Sequence, residues 1–380
     1  MIRKTACGIL TQGGKRFSCM IFNLFKPKSK LGIDIGTSAI KLIELSKRGG
    51  RFHLDNYGMF ELKRQTGGVP DTQNIMKLPD DEIVWGIKEV IKQTGMRSRN
   101  VVASIPSFST FATVIEMPFL SEEDLVQAIP FEARKYVPIP LDEVVLDWSI
   151  IGVLDGTPGQ TGSAPVKPIG TKVEVFLAAV PKDETARYQK IMKEAGLNLT
   201  ALELENAGLI RALLGNDLSP TAIVNIGGRS TSIVIVNKGY ERVSHNYEIG
   251  GFEITKAISR SLGVSLEKAE ELKRRMGLTQ SNENTIREAM VSLVDMMIFE
   301  TKKTIGSYEE SKGQTVLRVV LVGGIVNMPN FVDYFRQRLG RDVFVGNVLA
   351  RVVYPSELTP AVQEISNNFA VATGLAMRED

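Results

Sequence analysis

The stretch LGIDIGTS at residues 31–38 decides the fold, because the chain repeats its pattern as IVNIGGRSTS at residues 223–232. In each copy an apolar run leads into a polar residue, then glycine, then hydroxyl side chains, and a second apolar run follows. A strand, a glycine turn and a second strand form a hairpin whose tip presents backbone N–H groups to phosphate oxygens. We therefore predict two related α/β domains whose hairpins face each other and hold a polyphosphate.

The composition is that of a globular protein with more than one domain. The chain has 380 residues, 43% hydrophobic and 23% charged, and this length favours two domains or more. A formal net charge of +3 is too small to indicate nucleic-acid binding. No apolar run approaches the ~18 residues of a membrane-spanning helix. The best candidate, residues 173–180, is predicted to be a buried strand.

The sequence has too few cysteines for a disulfide framework and too few histidines for a histidine-rich metal site. Cys7 and Cys19 are the only cysteines, so a disulfide framework is excluded and a reducing compartment is favoured. His53 and His245 are the only histidines, which excludes a histidine-rich metal site, and we interpret both as surface or turn residues.

Residues 1–30 carry seven Lys or Arg and no acid. They lack a long apolar core followed by a small-residue cleavage site, so we predict a basic, disordered extension and no signal peptide. An alternative is that Met20 is the natural start of the protein.

The hydrophobic patterns predict a domain order with one insertion. Strand, helix, strand, strand and helix follow one another between residues 105 and 196, with a kink or break expected at Pro130. A single helix is predicted over residues 360–377. The predicted units are a first domain (31–104 with 197–219), an inserted subdomain (105–196), a second domain (220–251 with 313–380) and its helical subdomain (252–312).

The first hairpin offers a metal ligand and phosphate ligands. A carboxylate beside a triphosphate is a natural magnesium site, so Asp34 is the candidate metal ligand, although a turn-forming aspartate is the alternative. Gly36, Thr37 and Ser38 follow as candidate phosphate ligands. Lys41 could neutralise phosphate, or it could be a solvated strand lysine.

The second hairpin and two later segments complete the candidate site. Glycine lets a backbone approach phosphate closely, and hydroxyls add donors, which selects Gly227, Gly228, Ser230 and Thr231. In VVLVGGIVNM (319–328) a strand ends in two glycines that could lie against a purine and ribose, with Gly323, Gly324, Ile325 and Met328 as the candidates. Glu270 and Lys273 lie on a charged helix, for which a solvated face is the default interpretation.

These motifs, in this order, resemble those of the actin, sugar kinase and heat-shock chaperone ATPase superfamily. Within it, residues 31–45 and 101–147 closely resemble the PilM family of type IV pilus assembly, most specifically in FEARKYVP (131–138) followed by LDEV (141–144). The resemblance covers about residues 20–380. It implies actin-like (ribonuclease H-like) duplicated domains around a nucleotide cleft, with a small α+β (SHS2-like) inserted subdomain.

The resemblance also implies ligands and partners. It implies ATP with Mg²⁺ in the cleft. It makes Glu270 and Lys273 candidate nucleotide ligands, and Glu205 the candidate residue that orders the attacking water. It implies a groove near the inserted subdomain for the cytoplasmic N-terminal tail of a PilN-like inner-membrane protein, with pilus motor ATPases as further candidate partners. The protein is then cytoplasmic and peripheral at the inner membrane, which it reaches indirectly, through a partner.

One residue departs from the pattern of the resembled superfamily, and the difference bears on ATP hydrolysis. Many hydrolysing relatives carry aspartate where this chain has Asn225, and an amide cannot act as a base or hold magnesium as strongly as a carboxylate. We therefore expect nucleotide binding without fast turnover.

Two other functions stay open. An FtsA-like filament protein would attach itself to membrane, usually through a basic amphipathic helix at its end, and this sequence ends MRED. A sugar kinase would need a catalytic aspartate near the second domain's cleft, for which we find no convincing candidate.

Overall fold

The computed structural model describes residues 29–61, 79–154, 171–279 and 284–379. Nearly all of the predicted basic extension, and the Gly/Pro-rich segments around 67–79 and 152–171 in large part, lie outside the described residues. The strands are β1 (Ser29–Ile35), β2 (Ala39–Arg48), β3 (Arg51–Glu61), β4 (Asn100–Ile105), β5 (Phe111–Pro118), β6 (Val144–Leu154), β7 (Lys172–Pro181), β8 (Asn198–Leu204), β9 (Thr221–Ile226), β10 (Thr231–Asn237), β11 (Tyr240–Tyr247), β12 (Arg318–Val322), β13 (Val343–Val345) and β14 (Val352–Val353). The helices are α1 (Asp80–Thr94), α2 (Glu122–Ala133), α3 (Lys182–Glu194), α4 (Glu205–Leu213), α5 (Gly251–Leu262), α6 (Leu266–Met276), α7 (Thr285–Lys312), α8 (Phe331–Leu339), α9 (Thr359–Ile365) and α10 (Ala370–Ala376).

Two sheets share one plan. The first has the order β14-β3-β2-β1-β4-β8 and the second β11-β10-β9-β12-β13. In each, three consecutive antiparallel strands are followed by two strands parallel to the first of them. The sequence repeat therefore corresponds to a structural duplication, and each repeat forms the hairpin between the first two strands of its sheet.

The first hairpin is apolar because its sheet is covered on both faces. Leu31 and Ile33 of β1 pack in one cluster with Ile83 and Ile87 of α1. On the opposite face Gly32 lies against α10, and an added methyl group there would be 1.9 Å from the Ala372 carbonyl oxygen. A strand buried on both faces has an almost continuous apolar sequence, as β1 does.

The inserted unit is a third sheet, of order β5-β7-β6, covered by α2. The helix begins where the Ser121 hydroxyl accepts a hydrogen bond from the Asp124 N–H at 3.2 Å. It continues through Pro130 and ends at Ala133, so the helix does not break at the proline, which was one of the two outcomes predicted there.

Two segments pack outside the units in which the sequence placed them. The helix α3, predicted within the inserted subdomain, buries Tyr188, Ile191 and Met192 in the core of the first domain. The end of the chain, predicted in the second domain, returns to the first: β14 pairs with β3, and α10 packs on β1 and α4. Both differences arise because a helix or strand packs wherever its apolar face finds a matching surface, not beside its neighbour in sequence.

The helices α4 and α10 cross at two glycines. A methyl group added at Gly374 would lie 1.8 Å from the Gly208 carbonyl oxygen, so the two backbones touch. Helix α4 lies in the chain between β8 of the first sheet and β9 of the second, and α10 also packs on β1. The crossing therefore packs the end of the chain against the segment that joins the two sheets.

The inserted unit also contacts the second domain directly. Arg242 of β11 donates from Nη1 to Glu174 Oε2 of β7 at 2.6 Å, and the two side chains are only 8% and 14% exposed. A longer ion pair joins Lys312, at the end of α7, to Glu116 of β5. The unit is thus inserted into the first domain and also held by the second.

Several short or polar elements differ from the sequence prediction. The predicted helix over 360–377 is two helices, α9 and α10, with a turn between them where the Asn367 carbonyl accepts from the Gly323 N–H at 3.1 Å. The strands β11, β13 and β14 were not predicted, since β11 is a polar edge strand and the other two are very short. His53 and His245 lie on strands, not in turns.

Among the described residues, no helix combines the length and apolar character needed to cross a bilayer.

Candidate functional site

The tips of the two hairpins meet at a cavity of about 970 Å³. A methyl group added at Gly228 would lie 2.3 Å from the Ser38 hydroxyl oxygen, so the tips are in contact. The cavity is lined by every predicted site residue but one, namely Asp34, Gly36, Thr37, Ser38, Lys41, Glu205, Gly227, Gly228, Ser230, Glu270, Lys273, Gly323, Gly324, Ile325 and Met328.

Thr231 is the exception. It is fully buried, and its hydroxyl donates to the Ile249 carbonyl at 2.6 Å. Strand side chains alternate between faces, and Ser230 and Ser232 on either side of it line the cavity. The prediction of Thr231 as a phosphate ligand is therefore not supported by its position.

The first hairpin holds a buried carboxylate and its counter-ion. Asp34 and Lys41 face each other across β1 and β2, and Lys41 Nζ lies 2.9 Å from Asp34 Oδ2. The Ser104 hydroxyl donates to the other carboxylate oxygen at 3.3 Å. The turn between the strands is closed by the Gly36 N–H, which donates to the Ala39 carbonyl at 3.0 Å.

The second hairpin is fastened to the start of α5. The Gly227 N–H donates to the Ser230 carbonyl at 2.9 Å, and the Gly227 and Gly228 carbonyls accept from the N–H groups of Gly251 (3.0 Å) and Phe252 (2.7 Å). Side chains have no room here: an added methyl group at Gly250 would lie 2.7 Å from Gly227 O. These hairpin carbonyls are occupied by hydrogen bonds to α5. Because their oxygens are not directed at the cavity, the hairpin favours binding of an anion there.

Glu205 stands at the start of α4 beside the first hairpin. Its Oε2 accepts from the Ser107 N–H at 3.3 Å, and the neighbouring Asn206 accepts from the hydroxyls of Ser107 and Ser232 at 3.3 and 3.4 Å. Burial, with the nearby charge of Asp34, raises the pKa of Glu205 to about 7. A carboxyl group poised near neutral pH can accept a proton from water.

The opposite end of the cavity is formed by α6 and the Gly323-Gly324 turn. Lys273 is buried, and its ammonium donates to the Gly251 carbonyl (3.0 Å) and Thr255 hydroxyl (2.9 Å) and pairs with Glu270 at 2.6 Å. Burial opposes ionisation of Glu270, but the Lys273 charge prevails and lowers the pKa of Glu270 to about 2. The default interpretation of this helix as a solvated charged face is therefore wrong for Lys273.

Comparison with known proteins settles the family. The model of the family "Type IV pilus assembly protein PilM" matches residues 32–380. The chain belongs to the PilM family. This PilM-family chain is also similar to the cell division protein FtsA of Bacillus subtilis, with 26% identity over 368 residues that cover 86% of this chain and 78% of FtsA.

Solved structures confirm the predicted actin-like architecture of duplicated α/β domains. A structure of a PilM-PilN type IV pilus biogenesis complex matches with a TM-score of 0.75 and 24% identity, over 92% of this chain and 98% of that one. The ethanolamine utilization protein EutJ of Carboxydothermus hydrogenoformans matches with a TM-score of 0.54 and 18% identity, over 93% and 91% of the two chains. At these identities the matches show the fold and leave the ligand to be argued from the site.

The cavity of this PilM-family chain fits a nucleotide polyphosphate and one divalent cation. Glycines at 36, 227 and 228 leave the hairpin backbones uncovered where they face the cavity. Within the described ranges no three His, Cys, Asp or Glu side chains cluster in a way that could hold a metal. Mg²⁺ in proteins is commonly held by one or two carboxylates, waters and substrate phosphates, and Asp34 is a buried carboxylate that lines the cavity.

Some cavity residues were not identified from the sequence. Glu184, Arg187 and Tyr188 of α3 line the cavity, as do Asn367 and Asn368 at the turn before α10. They come from the two segments that pack outside their predicted units. No sequence pattern indicates them, because their positions depend on how α3 and the end of the chain pack on the first domain.

Proposed function

We propose that this PilM-family protein binds ATP with Mg²⁺ and serves as a cytoplasmic component of the type IV pilus inner-membrane assembly platform. The proposal of nucleotide binding rests on one observation. Two glycine hairpins, one of which has a buried aspartate, meet at one large cavity. Asp34 would hold the metal, and the two hairpins would hold the phosphates. Gly323, Gly324, Ile325 and Met328, with Glu270 and Lys273, would face the nucleoside. Bound Mg²⁺ would neutralise charge on the phosphates.

We expect hydrolysis to be slow, because Asn225 lines the cavity where an acid would serve better as base or metal ligand. In a phosphate-release assay, turnover should lie far below the enzyme median of ~10 per second. Asn225→Asp should raise the rate if Glu205 orients the attacking water. A Glu205 base is active when deprotonated, so the variant's rate should rise as pH is raised through about 7.

Glu205→Gln in the Asn225→Asp background is the control, because it keeps the shape and removes the titrating carboxyl. It should abolish both the gain in rate and its pH dependence. Turnover near the median in the unmodified protein would contradict the expectation of slow hydrolysis.

We propose that the partner is the cytoplasmic N-terminal tail of a PilN-like membrane protein, and that the inserted unit borders its groove. The family-specific stretch 131–138 contributes Ala133 and Val137 to the core of this unit while it leaves Phe131 67% and Tyr136 44% exposed. The Arg134 guanidinium carbon lies 5.3 Å from the centre of the Phe131 ring. The similar solved complex contains PilN, and extended tails gain affinity from main-chain bonds and apolar pockets. Pilus motor ATPases are further candidates.

Phe131→Ala should weaken binding of a synthetic tail peptide by roughly tenfold in a calorimetric titration, because an exposed aromatic anchor carries much of such binding. The matched control is Phe344→Ala on β13, which removes an exposed phenylalanine at the edge of the second sheet opposite to β11, the strand that contacts the inserted unit. Equal effects of the two substitutions would remove residues 131–136 from the groove.

Membrane association through this partner is tested by cell fractionation with and without the PilN-like protein. We expect the protein to leave the membrane fraction when the partner is deleted. If it stays, the alternative of a self-anchoring, FtsA-like protein, which the FtsA similarity favours, replaces the platform role.

A further inference from the structure

Tyr188 lies in the cavity with a hydroxyl that nothing described so far uses. It lines the cavity from α3, it is only 3% exposed, and its ring packs in the core of the first domain. No hydrogen bond joins the Tyr188 hydroxyl to another described residue, and this hydroxyl is not among the fully buried polar atoms that lack a partner. It is therefore open to the cavity and available to a group bound there.

The groups around Tyr188 fix its role as a donor. Burial raises the pKa of the Tyr188 phenol, and the negative charge of Glu205 acts in the same direction, while Arg187 opposes it. The phenol therefore stays protonated at any working pH. Carboxylates supply acceptors at this end of the cavity, so a bound group that is itself rich in acceptors needs donors there.

Several charged or polar donors at this end have protein partners. Lys41 is paired with Asp34, the Ser107 N–H and hydroxyl point to Glu205 and Asn206, and Arg187 Nε donates to Asp80 of α1 at 2.7 Å. The Arg187 contact also fixes α3 on the first domain, which presets the position of Tyr188 one residue later. Tyr188 adds an uncharged donor that makes no hydrogen bond with another described residue.

We propose that the Tyr188 hydroxyl donates a hydrogen bond to the terminal phosphoryl group of a nucleoside triphosphate, so that the site distinguishes triphosphate from diphosphate. The proposal rests on the nucleotide site proposed above. With the nucleoside at Gly323-Gly324, the last phosphate would lie toward Asp34 and Glu205, whose charges act on Tyr188. Tyr188 is then a specificity-determining residue supplied by the helix that directly follows β7 of the inserted unit.

The test compares two ligands on two proteins. Mg²⁺ with either ADP or a non-hydrolysable ATP analogue is titrated calorimetrically into the unmodified protein and into Tyr188→Phe, which removes only the hydroxyl. We expect the variant to lose roughly tenfold in affinity for the ATP analogue and to keep its affinity for ADP. Tyr308→Phe removes another buried hydroxyl, away from the cavity, and should change neither affinity.

Each other outcome decides against the proposal. Equal losses for both ligands, or no loss for either, overturn the role of Tyr188 and leave the nucleotide site intact. Failure of the unmodified protein to bind either ligand overturns the nucleotide site itself, and the proposal with it. Amide exchange in the unmodified protein is a second measure that needs no variant: α3 should exchange more slowly with the ATP analogue than with ADP, and equal rates would overturn the proposal.

Discussion

Gly374→Ala is expected to destabilise the protein by about 3 kcal/mol, at the upper end of the usual cost of overpacking. The added methyl group would lie 1.8 Å from the Gly208 carbonyl oxygen, and the atom it meets is backbone, which cannot turn aside as a flexible side chain can. The helices α4 and α10 would have to move apart, and α10 also packs against β1. Urea denaturation followed by circular dichroism measures the change in the free energy of unfolding.

Gly306→Ala is the matched control, because Gly306 also lies inside a helix, α7, yet an added methyl group there would meet nothing within 4 Å. It should stabilise the protein by about 0.5–1 kcal/mol, since alanine loses less conformational entropy in a helix than glycine. Equal effects of the two substitutions would show that α4 and α10 are not in backbone contact at Gly374.

Asp34→Ala should weaken the binding of Mg²⁺-ATP by more than tenfold, equivalent to ~1.4 kcal/mol, in a calorimetric titration. The substitution removes the acid near the turn of the first hairpin and leaves Lys41 without its partner at 2.9 Å. The unpaired ammonium would attract phosphate without metal. We therefore expect the loss in the presence of Mg²⁺ to be much larger than the loss in EDTA.

Two further variants separate metal binding from other effects of the substitution. Asp34→Asn keeps the shape of the side chain and should lose the Mg²⁺ dependence in the same way. Asp333→Ala removes an equal charge from an exposed position on α8 and should leave the affinity unchanged. Unaltered affinity in Asp34→Ala would take this residue out of the site.

The repeated hairpin could be predicted from sequence because its determinants are local. Apolar runs, glycine and hydroxyl residues in two stretches predicted the duplicated fold, and the positions of Asp34, Gly227 and Gly228 at the cavity follow from the turns themselves. A strand buried on both faces carries its signal in the stretch itself, so β1 could be predicted without knowledge of its neighbours.

The remaining parts of the site depend on packing between distant segments. Tyr188 reaches the cavity because α3 packs on the first domain, and the end of the chain reaches it because α10 lies on β1. Lys273 is buried because Thr255, on another helix, and Gly251 accept its hydrogens. None of these contacts has a period or motif that one sequence could reveal.

The ion pair between Arg242 and Glu174 has a consequence for any attempt to shorten the chain. A variant that lacked the inserted unit would leave the Arg242 guanidinium without the carboxylate that now faces it, and would open to water the surface of β11 that β5 now contacts. Such a truncation would therefore change the second domain as well as the first, although the unit is attached by covalent bonds to the first alone.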